Sequence, residues 1–184
     1  MTPRTPTQAR DHIVAQSEHG PAFPVGTCLE QVHDAYGIPT DGTPSAAEAW
    51  ARAQHKHPTS DPNEAPFGAL HCWIGGSHGF GHITFAAGGL YTWSTDFKRP
   101  GFFDRVLTSQ IGPTWGLTYV GWIEDVDGVR VITVAPPAPA KPATKPLGPT
   151  KVTQARALLV EALTTAGPIR KAAILTGLRF LPKR

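Results

Sequence analysis

The spacing of apolar residues changes near Gly68, and no other feature of the sequence constrains the fold as much. Before this point the apolar residues recur at helical intervals, with helix start and stop signals, in three segments: residues 7–20, 27–36 and 45–54. After it they form short runs that are typical of strands, namely ALHCWI, GHITFAA, LYTWST and LTYVGWIEDV. This order predicts an α+β fold, with N-terminal helices packed on a small antiparallel sheet.

A segment rich in proline and alanine, residues 134–149, divides the chain. It has no apolar periodicity, and proline interrupts both helices and central strands, so we expect a semi-rigid linker. The 184 residues then comprise a main domain at residues 1–133, the linker, and a tail at residues 150–184. Helical spacing on either side of Gly167-Pro168 predicts that the tail is a short helical hairpin.

The net charge is unevenly distributed between these parts. Residues 141–184 carry nine Lys and Arg residues against one acid, Glu161, a net charge of +8, so the remainder carries −5 of the overall +3. The basic tail is therefore a candidate for contacts with anionic polymers or with other proteins. Nucleic acid is the least favoured partner, because Phe180 is the one aromatic residue of the tail.

No run of eighteen apolar residues occurs in the sequence, so we expect no membrane span. The first twenty residues lack the apolar centre of a secretory signal, and the protein is therefore expected to start in the cytoplasm of the cell that makes it. Two cysteines, Cys28 and Cys72, are too few for a disulfide framework, although a single bridge between them is allowed. A reduced, reactive thiol is the default expectation.

Cys28 lies at the start of the second predicted helix, after the turn-forming residues Gly26 and Thr27. At that position the positive end of the helix dipole is expected to lower the pKa of the thiol and to favour the reactive thiolate. The backbone N–H groups of the helix start are candidates for stabilising an oxyanion. A buried cysteine that acts as a small hydrophobic residue is the competing interpretation, so Cys28 is informative only together with a partner.

His82 begins a predicted strand and has glycines beside it, which leaves its imidazole accessible. A cysteine nucleophile needs an imidazole within hydrogen-bonding distance, and the imidazole needs a third group that orients it. Residues 94–96, Ser-Thr-Asp, end the following strand, and the turn at Gly88-Gly89 returns that strand alongside His82. Asp96 is the predicted orienting group, and a simple turn residue at the strand end is the alternative for it.

Two other patterns in the sequence are a group of potential metal ligands and a set of tryptophans. The histidines and the cysteine between residues 71 and 82 do not have the spacing of a common structural zinc site, and we expect neither a metal nor a cofactor. Five tryptophans are many for this length, and most of them are expected in the core or in the walls of a groove. Trp93 and Trp115, which are near the candidate site in the sequence, are the candidates for substrate binding.

Taken together, these residues resemble a known family. Cys28-Leu29, Ala35-Tyr36-Gly37 and residues 46–50, with the later runs PFGALHCW, GHITFAAGG, STD and WGLTYVGWIEDVDGVRV, are similar to papain-like cysteine amidohydrolases of the CHAP and NlpC/P60 type. The versions from phages of actinobacteria are the most similar. The resemblance covers roughly residues 10–133. It implies a papain-like fold in which Cys28 is the nucleophile, His82 the general base and acid, and Asp96 the orienting group.

The usual substrate of this family is an amide bond of peptidoglycan, so the resemblance implies a phage-associated endopeptidase or N-acetylmuramoyl-L-alanine amidase. Such a protein is made in the host cytoplasm and acts on the host wall, as a lysis enzyme or as a virion component whose tail docks to other virion proteins. Many CHAP domains carry Glu and Asn near the third catalytic position, and this sequence lacks that pattern. The alternative is a phage structural protein that uses the hydrolase fold for wall binding or assembly without turnover.

Overall fold

The structure is a computed structural model that describes residues 2–40 and 42–134. The elements of this part follow one another as α1 (Pro6–His19), α2 (Cys28–Tyr36), α3 (Ala46–Arg52), β1 (Lys56–Pro58), a 3₁₀ helix (Pro62–Glu64), β2 (Leu70–Gly75), β3 (His82–Gly88), β4 (Tyr91–Thr95), β5 (Phe103–Leu107), α4 (Thr108–Trp115), β6 (Leu117–Ile123), β7 (Asp125–Val126) and β8 (Val129–Arg130). The predicted linker, apart from Val134, and the predicted helical hairpin lie outside the described residues.

Six strands form one antiparallel sheet in the order β1-β6-β2-β3-β4-β5, and β7 pairs with β8 in a separate hairpin. Gly88 and Gly89 both have positive φ, as a tight turn between β3 and β4 requires. The α+β prediction, with helices first and an antiparallel sheet after them, is confirmed. No helix in the described residues is long and apolar enough to cross a membrane.

Local signals explain why the first three helices begin and end where they do. Thr5 and Gln8 form a capping box at the start of α1, each accepting a hydrogen bond from the backbone of the other. Gly37 ends α2 in the left-handed conformation, with φ +64°. The side chain of Ser45 caps α3, because its Oγ accepts a hydrogen bond of 3.2 Å from the backbone N–H of Glu48.

Helices cover both faces of the sheet. The face that carries Leu70, Cys72, Ile83 and Phe85 packs on α1, α2 and α3, and these elements share the larger hydrophobic core. The opposite face carries Trp73 and Val106, which pack with Ile111 of α4. Adjacent residues of β3 therefore point into different cores, since the side chains of a strand alternate between its faces. Ile83 faces the three N-terminal helices, and the ring of His82, at the start of the strand, contacts Trp73 and Trp115.

Five elements were not predicted from the sequence: β1, the 3₁₀ helix, β5, α4 and β8. β1 lies in a polar, proline-containing segment without apolar alternation, and it pairs as an edge strand with β6. β5 and α4 lie between the last two predicted strands, where Gly112 and Pro113 interrupt the helical pattern of α4. The predicted run LTYVGWIEDV is divided between β6 and β7.

Candidate active site

Cys28 is the first residue of α2, as the sequence predicts. Thr27 occupies the N-cap position, but its side chain makes no capping bond; its Oγ1 donates a hydrogen bond to the carbonyl of Pro24 at 2.6 Å. This bond closes the turn before the helix, where Gly26 has φ +85°. The position of Cys28 therefore depends on the turn rather than on a side-chain cap.

Asp96 supports the same turn from the other side of the sequence. Its Oδ2 accepts a hydrogen bond from the N–H of Gly26 at 3.0 Å, and its Oδ1 accepts one from the N–H of Gly101 at 2.7 Å. Asp96 has φ +60°, a conformation that aspartate adopts more readily than most residues. From the sequence, this carboxylate is the predicted partner of His82. In the structure both of its oxygens accept hydrogen bonds from backbone N–H groups, one of them directly before the helix of Cys28.

His82 is the first residue of β3, and its position depends on Gly81. Gly81 has φ +67°, and a Cβ atom there would overlap the carbonyl oxygen of Trp73. The chain can therefore approach β2 this closely only with glycine at this position. The ring of Trp115, from the end of α4, meets the imidazole of His82 edge to face with a centroid distance of 4.8 Å.

Ser94 is the hydrogen-bond partner of the imidazole. Its Oγ lies 2.9 Å from His82 Nε2, and both side chains are buried. Ser94 Oγ also donates a hydrogen bond to the carbonyl of Thr95 at 3.2 Å. Because a hydroxyl has one hydrogen to give, His82 Nε2 carries the proton of this contact, and Nδ1 is left as an acceptor. The position beside the imidazole that the sequence predicted for Asp96 is thus held by Ser94, two residues earlier and within β4.

Cys28 and His82 line the same cleft, which has a volume of about 410 Å³. Val25, Phe80 and Trp115 give this cleft an apolar wall. The thiol also receives a backbone hydrogen bond from Ile83, the residue after His82. The helix that carries the thiol and the strand that carries the imidazole therefore meet at the floor of one cleft.

A second cleft, of about 300 Å³, adjoins the first. The two share Gly26, Cys28, Phe80 and Gly81, so Cys28 lies where they meet. His82 lines only the first cleft. The walls of the second are polar and include Glu30 of α2, in contrast to the apolar wall opposite.

The thiol does not have the lowered pKa that its place at a helix start predicted. Burial raises the pKa of Cys28 to about 11, which outweighs the lowering by backbone hydrogen bonds from Ile83 and Leu29; the charge of Asp96 raises it further. Although part of the residue reaches the cleft, its sulfur is largely shielded from water. The expectation of a preformed thiolate was wrong for this resting structure, because desolvation opposes the charge more than the helix start favours it.

The imidazole is neutral as well. Burial lowers the pKa of His82 to about 3, since the ring lies between β4 and α4 with little access to water. A neutral thiol and a neutral imidazole therefore face the cleft at pH 7. With Nε2 donating to Ser94, Nδ1 is the ring atom available to take a proton.

The two tryptophans named as substrate-binding candidates have different positions. Trp115 lines the cleft beside His82. Trp93 lies opposite Phe85 in the β3–β4 ladder and packs against the larger hydrophobic core. It does not line either of the two clefts that meet at Cys28.

Several of the other histidines and acids are engaged in structural contacts. His71 Nδ1 lies 2.9 Å from the hydroxyl of Tyr119, and Cys72 is buried in the larger core. His55 contacts Asp125 at 3.0 Å, and His57 contacts Glu124 at 2.7 Å. Within residues 2–40 and 42–134, no group of three or more His, Cys, Asp or Glu side chains is placed to hold a metal ion.

Sequence reasoning missed two features of the site. Ser94 was considered with Asp96, but residue spacing alone does not show which of two neighbours faces the imidazole. The pair of His33 and Asp127, 2.6 Å apart and buried beside the second cleft, joins α2 to the β7–β8 turn, 94 positions along the chain. No local pattern connects residues so far apart.

Comparisons with known proteins add no relative to this picture: no family model, no curated protein and no solved structure matches the chain. The CHAP and NlpC/P60 resemblance therefore remains a prediction from the residues quoted above.

Proposed function

We propose that this chain is a papain-like cysteine amidohydrolase that cleaves an amide bond of bacterial peptidoglycan in the service of a bacteriophage. One observation carries the proposal. A cysteine at the start of α2 and a histidine at the start of β3 line one cleft, and the histidine is held by Ser94 through Nε2. Nucleophile, base and orienting group are the three parts that thiol-based acyl transfer requires.

The proposed reaction has two stages. As Cys28 Sγ attacks the amide carbonyl, His82 Nδ1 takes the thiol proton, and the backbone N–H groups at the start of α2 stabilise the oxyanion. The C–N bond then breaks, and His82 returns the proton to the leaving amine, which leaves a thioester on Cys28. Water attacks this thioester with His82 again as base, the carboxylic acid is released, and the thiol is restored.

Ser94 and Asp96 have separate tasks in this scheme. Ser94 accepts the Nε2–H of His82, holds the ring in one orientation and keeps Nδ1 directed to the reaction. Asp96 positions the turn that precedes Cys28 through its bond with Gly26. Because thiol and imidazole both start neutral, proton transfer accompanies the attack on the carbonyl instead of preceding it.

Peptidoglycan as the substrate, and the phage setting, are supported by the family resemblance. Val25 and Phe80 line the cleft and are exposed to solvent, so the cleft at the thiol is open to a substrate from outside. The bond is either within the stem peptide, as for an endopeptidase, or between sugar and peptide, as for an amidase. The basic tail is proposed to contact the wall or another virion protein.

One observation favours the second candidate, a virion protein that uses this domain for wall binding or assembly without turnover. The thiol has a pKa of about 11 and is therefore protonated at pH 7, as in cysteines that serve only packing. This alternative predicts wall binding that does not depend on the thiol.

Purified actinobacterial cell walls separate the two candidates. Wild type and Cys28→Ala are incubated with walls, and both bound protein and released soluble peptides are measured, the latter by mass spectrometry. The proposed hydrolase releases peptides as wild type but not as Cys28→Ala, and the released ends identify the bond. Wall binding by both proteins with release by neither supports the binding module. Equal release by both excludes Cys28 as the nucleophile.

A further inference from the structure

The inference concerns substrate selection and rests on the proposed function. Two clefts meet at Cys28, and His82 lines only the one with the apolar wall. In acyl transfer the histidine must protonate the leaving nitrogen, so that nitrogen has to lie within reach of the imidazole. The amine half of the substrate therefore occupies the apolar cleft of His82. The acyl half extends into the polar cleft on the other side of Cys28.

The polar cleft has a negative charge. Glu30 lines it, and within residues 2–40 and 42–134 this carboxylate has no ion-pair or hydrogen-bond partner. No Lys or Arg of the described residues lines the cleft. An acid that is exposed to a cleft and unpaired there favours a cationic ligand group.

His33 does not reverse this charge. Its Nε2 lies 2.6 Å from Asp127 Oδ2, and both side chains are almost fully buried. The two atoms are close, but their geometry is not that of a hydrogen bond. His33 Nδ1 also has no hydrogen-bond partner among the described residues. With a carboxylate in contact with its ring, His33 brings no net positive charge to the cleft. The charge of Glu30 therefore remains unbalanced by the residues that line the cleft.

We infer that the acyl half of the substrate carries an ammonium group and that Glu30 selects it. Glu30 is a specificity-determining residue here and takes no part in the bond-breaking steps. Asp96 also lines the other cleft, but both of its carboxylate oxygens accept hydrogen bonds from backbone N–H groups, of Gly26 and Gly101. The wall formed by Val25, Phe80 and Trp115 therefore selects an apolar, uncharged amine half. The two halves of the scissile amide are thereby distinguished by polarity.

Two synthetic substrates test this assignment. They have the same uncharged amine half, and their acyl halves bear either a free side-chain amine or the same amine acetylated. The ratio of kcat/KM values for the two is measured in wild type, Glu30→Gln and Glu30→Lys. Glu64→Gln is the matched control, because Glu64 is also exposed and lines neither cleft at Cys28.

Wild type and Glu64→Gln should prefer the free amine by about fivefold, the size expected of one partly solvated ion pair. Glu30→Gln should lose the preference and Glu30→Lys should reverse it. The inference is overturned if Cys28→Ala abolishes cleavage while both Glu30 variants keep the wild-type ratio, or if wild type shows no preference. Cleavage that persists in Cys28→Ala, or absence of cleavage by wild type, instead contradicts the proposed function itself.

Discussion

Replacing Ser94 with alanine tests how the imidazole is held. The substitution removes the hydroxyl 2.9 Å from His82 Nε2 and leaves a buried N–H group without its acceptor. Loss of one buried partner costs about 1–3 kcal/mol. If the orientation of the ring matters mainly during catalysis, the transition state is destabilised by this amount relative to the free enzyme and substrate. The value of kcat/KM should then fall by about 10- to 100-fold.

The assay is release of soluble peptides from purified cell walls, with melting temperatures measured in parallel. Thr92→Val is the control for a lost buried hydroxyl. Thr92 lies two residues earlier on the same face of β4, and its Oγ1 donates to the carbonyl of Phe85 and not to His82. We expect Thr92→Val to lower the melting temperature with little change in kcat/KM, because its hydroxyl is remote from the cleft.

Asp96→Asn tests whether Ser94, as the structure indicates, or Asp96, as the sequence predicted, orients the imidazole of His82. An asparagine keeps one acceptor oxygen for the turn before Cys28, so its kcat/KM should fall less than that of Ser94→Ala. Full activity of Ser94→Ala together with an inactive, folded Asp96→Asn would refute the assigned roles. It would mean that Asp96, and not Ser94, orients the base.

Three further predictions concern the charge states and the backbone of the site. Burial holds the pKa of His71 and of His82 at about 3. Below pH 6.5 these two histidines are therefore protonated in the unfolded chain but not in the folded chain. Between pH 7 and pH 5 the free energy of unfolding should fall by about 2 kcal/mol for each of the two histidines. Urea denaturation at the two pH values measures this fall. The free energy of unfolding of His71→Asn should fall by about 2 kcal/mol less than that of wild type, and an equal fall in both proteins would contradict the prediction. Because the pKa of Cys28 is raised to about 11, alkylation of Cys28 by iodoacetamide should still be accelerating at pH 10, and a plateau near pH 7 would show a thiolate already present. Gly81→Ala should destabilise the fold by about 2–3 kcal/mol and abolish activity. The control is Gly79→Ala, which has a similar φ but no atom near its Cβ and should cost about 1 kcal/mol in the same denaturation assay. Equal costs would show that the contact of Gly81 with β2 is unimportant.

Much of the fold could be predicted because its signals are local. A capping box starts α1, Gly37 ends α2, and Ser45 caps α3, so these helices were located to within about two residues. The Gly88-Gly89 turn fixes the β3–β4 hairpin. β1 was missed because a three-residue edge strand is stabilised by its pairing with β6, which is distant in sequence.

Prediction of the site succeeded in part for a similar reason. The start of a helix and the start of a strand are visible in the sequence, and the structure brings Cys28 and His82 to one cleft. The choice between Ser94 and Asp96 depends on the direction of side chains at the end of β4, where Asp96 has left the strand with positive φ. The thiol pKa depends on burial by residues from several elements, which helix position alone does not reveal.

Trapping the acyl-enzyme tests the central claim most directly. Wild type is mixed with soluble peptidoglycan fragments, quenched in acid during turnover, and analysed by intact-protein and peptide mass spectrometry. A thioester adduct with the mass of the acyl fragment is predicted on the peptide that contains Cys28, and Cys28→Ala should carry none. A mechanism in which Cys28 is the nucleophile would be contradicted if wild type cleaves the fragments without forming an adduct and Cys28→Ala cleaves them equally well.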